Sequence, residues 1–172
     1  MTERRKVVVH DLSQEEFQQV FPDIYSRFHI ICDNGSIKNC IGCFGCWIKT
    51  PGQCVIKDGY DIMGEILARA EAVTIISRCV YGGYSPFIKN IWDRSISYIL
   101  PFFKTKNNET HHKRRYKDTF CLSVYFYGEH ITSQEIAAAR NLVKANCRNF
   151  YIEKYNVEFF QSIEELEREC GL

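Results

Sequence analysis

Residues 72–94 read AVTIISRCVYGGYSPFIKNIWDR and carry the sharpest pattern in the chain. The first part, 72–77 (AVTIIS), is nearly all apolar and rich in β-branched residues. That is the pattern of a central strand buried on both faces of a parallel sheet. A glycine- and tyrosine-bearing turn, 78–85, follows. Pro86 then opens a helix, because proline in a first helical turn gives up no hydrogen bond. Phe87/Ile88, Ile91/Trp92, Ser95/Ile96 and Ile99/Leu100 step by four, mostly apolar, which predicts a helix running until Pro101 stops it.

The same alternation continues on both sides. Residues 6–12 (KVVVHDL) read as a strand. Ser13 with Glu16 makes a capping box, which predicts a helix from there to near Pro22. Residues 28–32 (FHIIC) are a second strand, and 60–70 (YDIMGEILARA) a helix with Ile62, Ile66 and Leu67 on one face. Towards the C-terminus, 120–127 (FCLSVYFY) is a fourth strand ending at Gly128. Thr132 with Glu135 makes a second capping box, opening a helix through IAAARNLVKANC. Residues 155–160 (YNVEFF) are a fifth strand, and Ser162 with Glu165 caps a last helix. Residues 104–118 (KTKNNETHHKRRYKD) read as an exposed basic loop in which His111 and His112 are solvated.

Strands alternating with helices five times predict an α/β fold: a five-stranded parallel sheet with helices on both faces, in three layers. Ligands bind such sheets beyond the carboxyl ends of the strands, where the strand order switches direction. The loops to inspect are 11–15, 32–46, 78–85 and 127–131.

The chain of 172 residues fits a single domain, 1–172, with a sizeable core. Apolar residues make up 45% and charged residues 25%, as in a soluble globular protein. A net charge of +1 creates no global field towards nucleic acid or a membrane. The basic loop lacks the interleaved aromatics of a nucleic-acid patch. No apolar run is long enough to span a bilayer, and the N-terminal apolar segment is too short for a signal peptide. The expected location is therefore cytoplasmic, with no nucleic-acid or membrane partner.

Nine cysteines are many for such a chain, and their odd number fits a disulfide framework poorly. Cys32, Cys79, Cys121, Cys147 and Cys170 are scattered and read as small buried hydrophobes. Cys40, Cys43, Cys46 and Cys54 are gathered in CIGCFGCWIKTPGQC, where Gly42 and Gly45 allow tight turns. Four thiolates at this spacing suit an iron–sulfur cluster, a tetrahedral zinc, or unligated redox thiols, and all three readings stay open.

The run from CIGCFGCWIKTPGQCVIKD through AEAVTIISRCVYGGYSPFIKNIWDR resembles the flavodoxin-like NADPH-dependent FMN reductase family. The matching positions are Asp58, Val80, Tyr81, Lys89, Asp93 and Arg94. The resemblance implies a flavodoxin-like fold with FMN held by Arg78, Cys79, Val80, Tyr81, Gly82, Gly83, Tyr84 and Ser85. Tyr127, Gly128 and Glu129 would flank the flavin, with Tyr81 or Tyr84 stacking on its ring. It also implies an oxidoreductase or electron-transfer flavoprotein. Reducing equivalents would come from NAD(P)H or a ferredoxin-type donor and pass to a small-molecule redox substrate or an electron-carrier protein. A homo-oligomer, dimer or tetramer, is implied as well. The cysteine spacing is similar to that of the iron–sulfur flavoproteins within the family, which implies a 4Fe–4S cluster on Cys40, Cys43, Cys46 and Cys54.

Two positions depart from the family pattern. Cys79 stands where proline is usual, and the loop is about one residue shorter. The first loop, normally Gly-Ser-Pro-Arg followed by Ser or Thr, holds the FMN phosphate on its amides and helix N-terminus. Here it reads His10-Asp11-Leu12-Ser13-Gln14-Glu15-Glu16. The capping box uses the helix amides, and Asp11, Glu15 and Glu16 put negative charge where a phosphate would sit. Helix-dipole attraction is worth only ~0.3–1 kcal/mol per charge, which such carboxylates can cancel. FMN phosphate is therefore expected to be weakly or differently held. The alternative is a flavodoxin-like protein without FMN, acting as a thiol or metal sensor or a binding module. Lys89 and Asp93, four apart on a helix, are expected to form a surface ion pair.

Overall fold

The computed structural model describes residues 5–106 and 108–169. In chain order the elements are β1 (Arg5–His10), α1 (Gln14–Val20), β2 (His29–Cys32), α2 (Gly45–Ile48), α3 (Met63–Arg69), β3 (Ala70–Arg78), α4 (Pro86–Arg94), β4 (Ile99–Lys106), β5 (Glu109–Arg114), β6 (Cys121–Tyr127), α5 (Ser133–Phe150), β7 (Tyr155–Phe160) and α6 (Ile163–Glu169). Five strands form one parallel sheet in the order β2-β1-β3-β6-β7. This is the fold class expected from the alternating pattern.

Register stacks the core in rows. Val9 lies opposite Ile75, and Ile75 opposite Val124, so one face of three neighbouring strands presents a continuous β-branched row. That row packs with Met63 and Leu67 of α3, Ile88 and Ile91 of α4, and Ala139 and Val143 of α5. The alternate residues Val8 and Ile76 point the other way and pack with Phe17 of α1, Phe160 of β7 and Leu166 of α6. Period-two alternation thus gives β1 and β3 two buried faces, which is why they read as unbroken apolar runs.

The capping boxes close as their sequences predict. Glu16 N–H donates to Ser13 Oγ (3.2 Å) while Ser13 N–H donates to the Glu16 carboxylate (2.9 Å). Thr132 and Glu135 do the same at α5. At α6, Glu165 N–H donates to Ser162 Oγ (3.3 Å). Cys170 lies outside the described residues.

The region after α4 departs from the sequence reading. The helix does not run to Pro101. It ends at Arg94, passes through a tighter turn at Ser95–Tyr98 and enters β4. Ser95 Oγ donates to the Ile91 carbonyl (2.6 Å), a back-bond that competes with the helical ladder. Trp47 Nε1 donates to the carbonyls of Ile96 (3.3 Å) and Ile99 (3.0 Å), satisfying groups a longer helix would have used. The stretch expected as an exposed basic loop is largely an antiparallel hairpin, with Phe103 opposite His112 and Thr105 opposite Thr110. Three of its cations have partners from elsewhere in the chain. Lys104 and Arg114 sit over the Tyr151 ring at 4.6 and 5.2 Å, and Arg115 Nε donates to the Ser97 carbonyl (2.8 Å).

Candidate functional site

The strand order changes direction between β1 and β3, since β1 leads to β2 on one side and β3 leads to β6 on the other. Beyond the carboxyl ends of these strands lies an open cleft of about 690 Å³. That falls within the ~300–1,000 Å³ of small-molecule sites. Asp11, Asp33, residues 78–81, Ser85, Pro86, Phe87, Tyr127 and Glu135 line it.

The loop after β3 is built by local hydrogen bonding. Cys79 N–H donates to the Tyr127 carbonyl (2.8 Å), extending the β3–β6 pairing by one residue. Val80 N–H donates to the Gly83 carbonyl (3.0 Å) and Gly83 N–H to the Val80 carbonyl (2.9 Å), closing a two-residue turn. Tyr81 (φ 51°) and Gly82 (φ 75°) both occupy the left-handed region, as a type I′ turn demands. Asparagine or glycine suits the first of these positions, so a tyrosine there stores backbone strain. Its ring is 92% exposed. Gly82 is required twice over: a Cβ there would come within 2.8 Å of Ala138 Cβ and 2.9 Å of the Glu135 carbonyl on α5. Ser85 N–H donates to Ser77 Oγ (3.0 Å), and Ser85 Oγ caps α4 by accepting from Ile88 N–H (3.5 Å).

Of the residues singled out in sequence, Arg78, Cys79, Val80, Tyr81, Ser85 and Tyr127 come together around the cleft. Tyr84 turns inward and stacks on Phe126 at 5.3 Å, so of the two tyrosines proposed to meet a ring only Tyr81 faces solvent. Gly82 is buried against α5, while Gly83 closes the turn. Gly128 and Glu129 follow β6 outside the cleft lining, and Gly128 N–H donates to the Phe160 carbonyl (3.1 Å). Asp33 and Glu135 were not anticipated. Asp33 follows β2 directly, and Glu135 was visible only as a capping residue.

Asp11 is the polar centre of the cleft. Its carboxylate accepts from Arg78 N–H (2.8 Å) and from the Tyr127 hydroxyl (3.0 Å). Its own N–H donates to the Ile76 carbonyl (3.3 Å). Burial pushes the Asp11 carboxyl up from its ordinary value, opposed by hydrogen bonds from Ser85, Arg78 and Tyr127. Burial, with the Asp11 charge beside it, pushes the Tyr127 phenol well above its usual range. The Arg78 amide and Tyr127 hydroxyl are spent on Asp11, and the first-turn amide of Glu16 is spent on Ser13.

The four-cysteine segment lies elsewhere, against α4 and the turn after it. Cys40 and Cys43 are exposed, while Cys46 and Cys54 are buried. Burial pushes the Cys46 thiol up, and the thiols of Cys54, Cys40 and Cys43 add to the push. Among the described residues, no three His, Cys, Asp or Glu side chains are arranged to hold a metal ion. The segment is anchored by Arg94, which holds Asp58 through two hydrogen bonds (2.8 and 2.9 Å) and donates to the carbonyls of Lys38 (2.7 Å) and Ile56 (3.0 Å). Arg94 holds the Asp58 carboxyl far below its ordinary value, at about 2. The expected surface pair of Lys89 and Asp93 forms.

No family model matches the chain, and no curated protein does. Solved structures do. An NAD(P)H:quinone oxidoreductase from Methanothermobacter marburgensis superposes with a TM-score of 0.59 at 10% identity, covering 99% of this chain and 98% of the other. An FMN-dependent NADH-azoreductase from Bacillus anthracis, solved in complex with FMN, gives 0.53 at 15% identity, covering 91% and 86%. The Trp repressor binding protein from Bacillus subtilis gives 0.53 at 10% identity, covering 96% and 91%. Among the described residues no helix is long and apolar enough to cross a membrane. Strand order, layer arrangement and these likenesses together give the chain a flavodoxin-like α/β fold.

Proposed function

We propose that the protein is a flavin-dependent oxidoreductase that takes reducing equivalents from NAD(P)H and passes them to a small-molecule acceptor of the quinone or azo type. The observation that carries this reading is the exposed Tyr81, held in a strained left-handed turn at the rim of the switch-point cleft. Strain of this kind persists where the surroundings enforce it, and it clusters at ligand sites. Two of the structural neighbours are described as NAD(P)H- or FMN-dependent oxidoreductases, which supports the same chemistry here.

The flavin, when bound, supplies hydride acceptance and onward electron transfer. The protein's part is to bind and orient. Tyr81 offers an aromatic face to a planar ring, and the contact of Gly82 with α5 sets how far that face stands from the sheet. The Ser77–Ser85 hydrogen bond fixes the start of α4. No side chain need act as a general acid or base.

A second copy of the chain is part of this proposal. Ile41, Phe44 and Ile48 are 72%, 51% and 77% exposed along the cysteine segment, and Phe102 and Phe103 are 62% and 60% exposed on the hairpin. Such apolar exposure supports burial in a homo-oligomer. No electron path is assigned to an iron–sulfur cluster, and Cys40, Cys43, Cys46 and Cys54 are read as thiols.

Steady-state oxidation of NADH and NADPH, with flavin and a quinone present, tests the reading. Turnover well above that of free flavin, lowered in Tyr81→Ala, is expected. Rates equal to free flavin would overturn it in favour of a binding module on the same fold, a reading that the carboxylate seated in the cleft supports.

A further inference from the structure

We propose that Asp11 sets the ligand specificity of the cleft: its carboxylate occupies the anion seat, so the site prefers riboflavin, the flavin without its terminal phosphate, over FMN. The inference rests on the flavin reading above and names the chemical form that the site takes.

The donors an anion would use at this end of the sheet already face one. The Arg78 amide (2.8 Å) and the Tyr127 hydroxyl (3.0 Å) both donate to Asp11. These donors come from the end of β3 and the end of β6, so the seat is built by two strands meeting beside the end of β1. At the helix that follows β1, two amides are already taken. Glu16 N–H is taken by Ser13 Oγ, and the Glu16 carboxylate lies on Ser13 N–H. The remaining charge around the cleft is mostly of the same sign. Asp33 and Glu135 line it with Asp11, and Arg78 is the cation among the lining residues described. A phosphate dianion would have to displace a carboxylate that holds two donors, or sit beside it with Arg78 as the cation among the described lining residues. Like charges brought together at a partly desolvated site are costly. Riboflavin ends in a hydroxyl, which can donate to that carboxylate. The same carboxylate that repels FMN therefore gives riboflavin a partner.

The test is calorimetric titration of the full chain with riboflavin and with FMN, backed by quenching of flavin fluorescence, on wild type, Asp11→Asn and Asp11→Ser. Wild type is expected to bind riboflavin at least as tightly as FMN. Both variants are expected to shift the ratio of the two dissociation constants towards FMN by about tenfold or more. The wild-type comparison stands even if a variant fails to fold. FMN bound tenfold more tightly than riboflavin by wild type would overturn the inference and leave the flavin reading intact. An unchanged ratio in two folded variants would overturn the role of Asp11. Failure to bind either flavin would overturn the flavin reading and this inference together.

Discussion

Arg94 grips Asp58 with both terminal nitrogens, at 2.8 and 2.9 Å, and their side chains are 0% and 3% exposed. The pair ties the end of α4 to the cysteine segment, since the same guanidinium also holds the carbonyls of Lys38 and Ile56. Removing one partner strands the other charge in the interior. Asp58→Asn or Arg94→Met should each cost about 3–5 kcal/mol, read from urea unfolding. The double variant should cost less than the sum of the two, because the stranded charge is gone.

The same pair sets an acid limit. The Asp58 carboxyl falls from an ordinary 3.8 to about 2 in the fold. Its stabilisation is fully present above pH ~4 and is lost as pH falls towards 2, worth about 2 kcal/mol. The unfolding midpoint of wild type should drop across that window, and that of Asp58→Asn should drop less.

His10 acts at milder pH. It is fully buried and stacks on Phe17 at 3.7 Å, and the Leu12 backbone offsets only part of the cost of that burial. Burial lowers its pKa from 6.5 to about 4. The folded state binds the proton less well than the unfolded state, so stability falls as pH drops from 6.5 towards 4, by about 3 kcal/mol. His10→Leu should flatten that part of the stability profile. An unchanged profile would show that His10 binds its proton equally well in the folded and unfolded states.

Tyr81 should trade stability against binding. Asparagine tolerates the left-handed conformation better, so Tyr81→Asn should stabilise the chain by up to about 1 kcal/mol. The same change should weaken flavin binding about three- to tenfold through loss of the aromatic face. Thermal unfolding and fluorescence titration on one preparation measure both effects. Gly82→Ala, which crowds Ala138 and the Glu135 carbonyl at φ +75°, should instead cost about 1–3 kcal/mol and shift the loop.

The sheet was legible in the sequence because buried parallel strands leave apolar runs, as at residues 72–77 and 120–127. The capping boxes at Ser13, Thr132 and Ser162 were legible because their partners lie three residues away. The β4–β5 hairpin was not. Its second strand, ETHHKR, is half-buried only at two adjacent histidines and never alternates cleanly between apolar and polar. Its partners, Tyr151 and Arg148, come from the far end of α5. The pairing of Arg94 with Asp58 spans 36 positions, so no local pattern could announce it. The position of the loop 78–85 followed from strand order. Which of its tyrosines faces out depends on the φ angles at Tyr81 and Gly82. The acidic residues near the first loop were visible as charges. That Asp11 would turn to bind the ends of β3 and β6 emerged only once those strands stood beside β1.

The most direct measurement is the visible absorption spectrum of the full chain, loaded anaerobically with riboflavin or FMN, freed of unbound flavin and then mixed with NADH or NADPH. The account predicts resolved flavin bands that stay with the protein and bleach on adding the nicotinamide donor. A chain that emerges colourless from both loadings, or whose bound flavin keeps its colour with both donors, would contradict it.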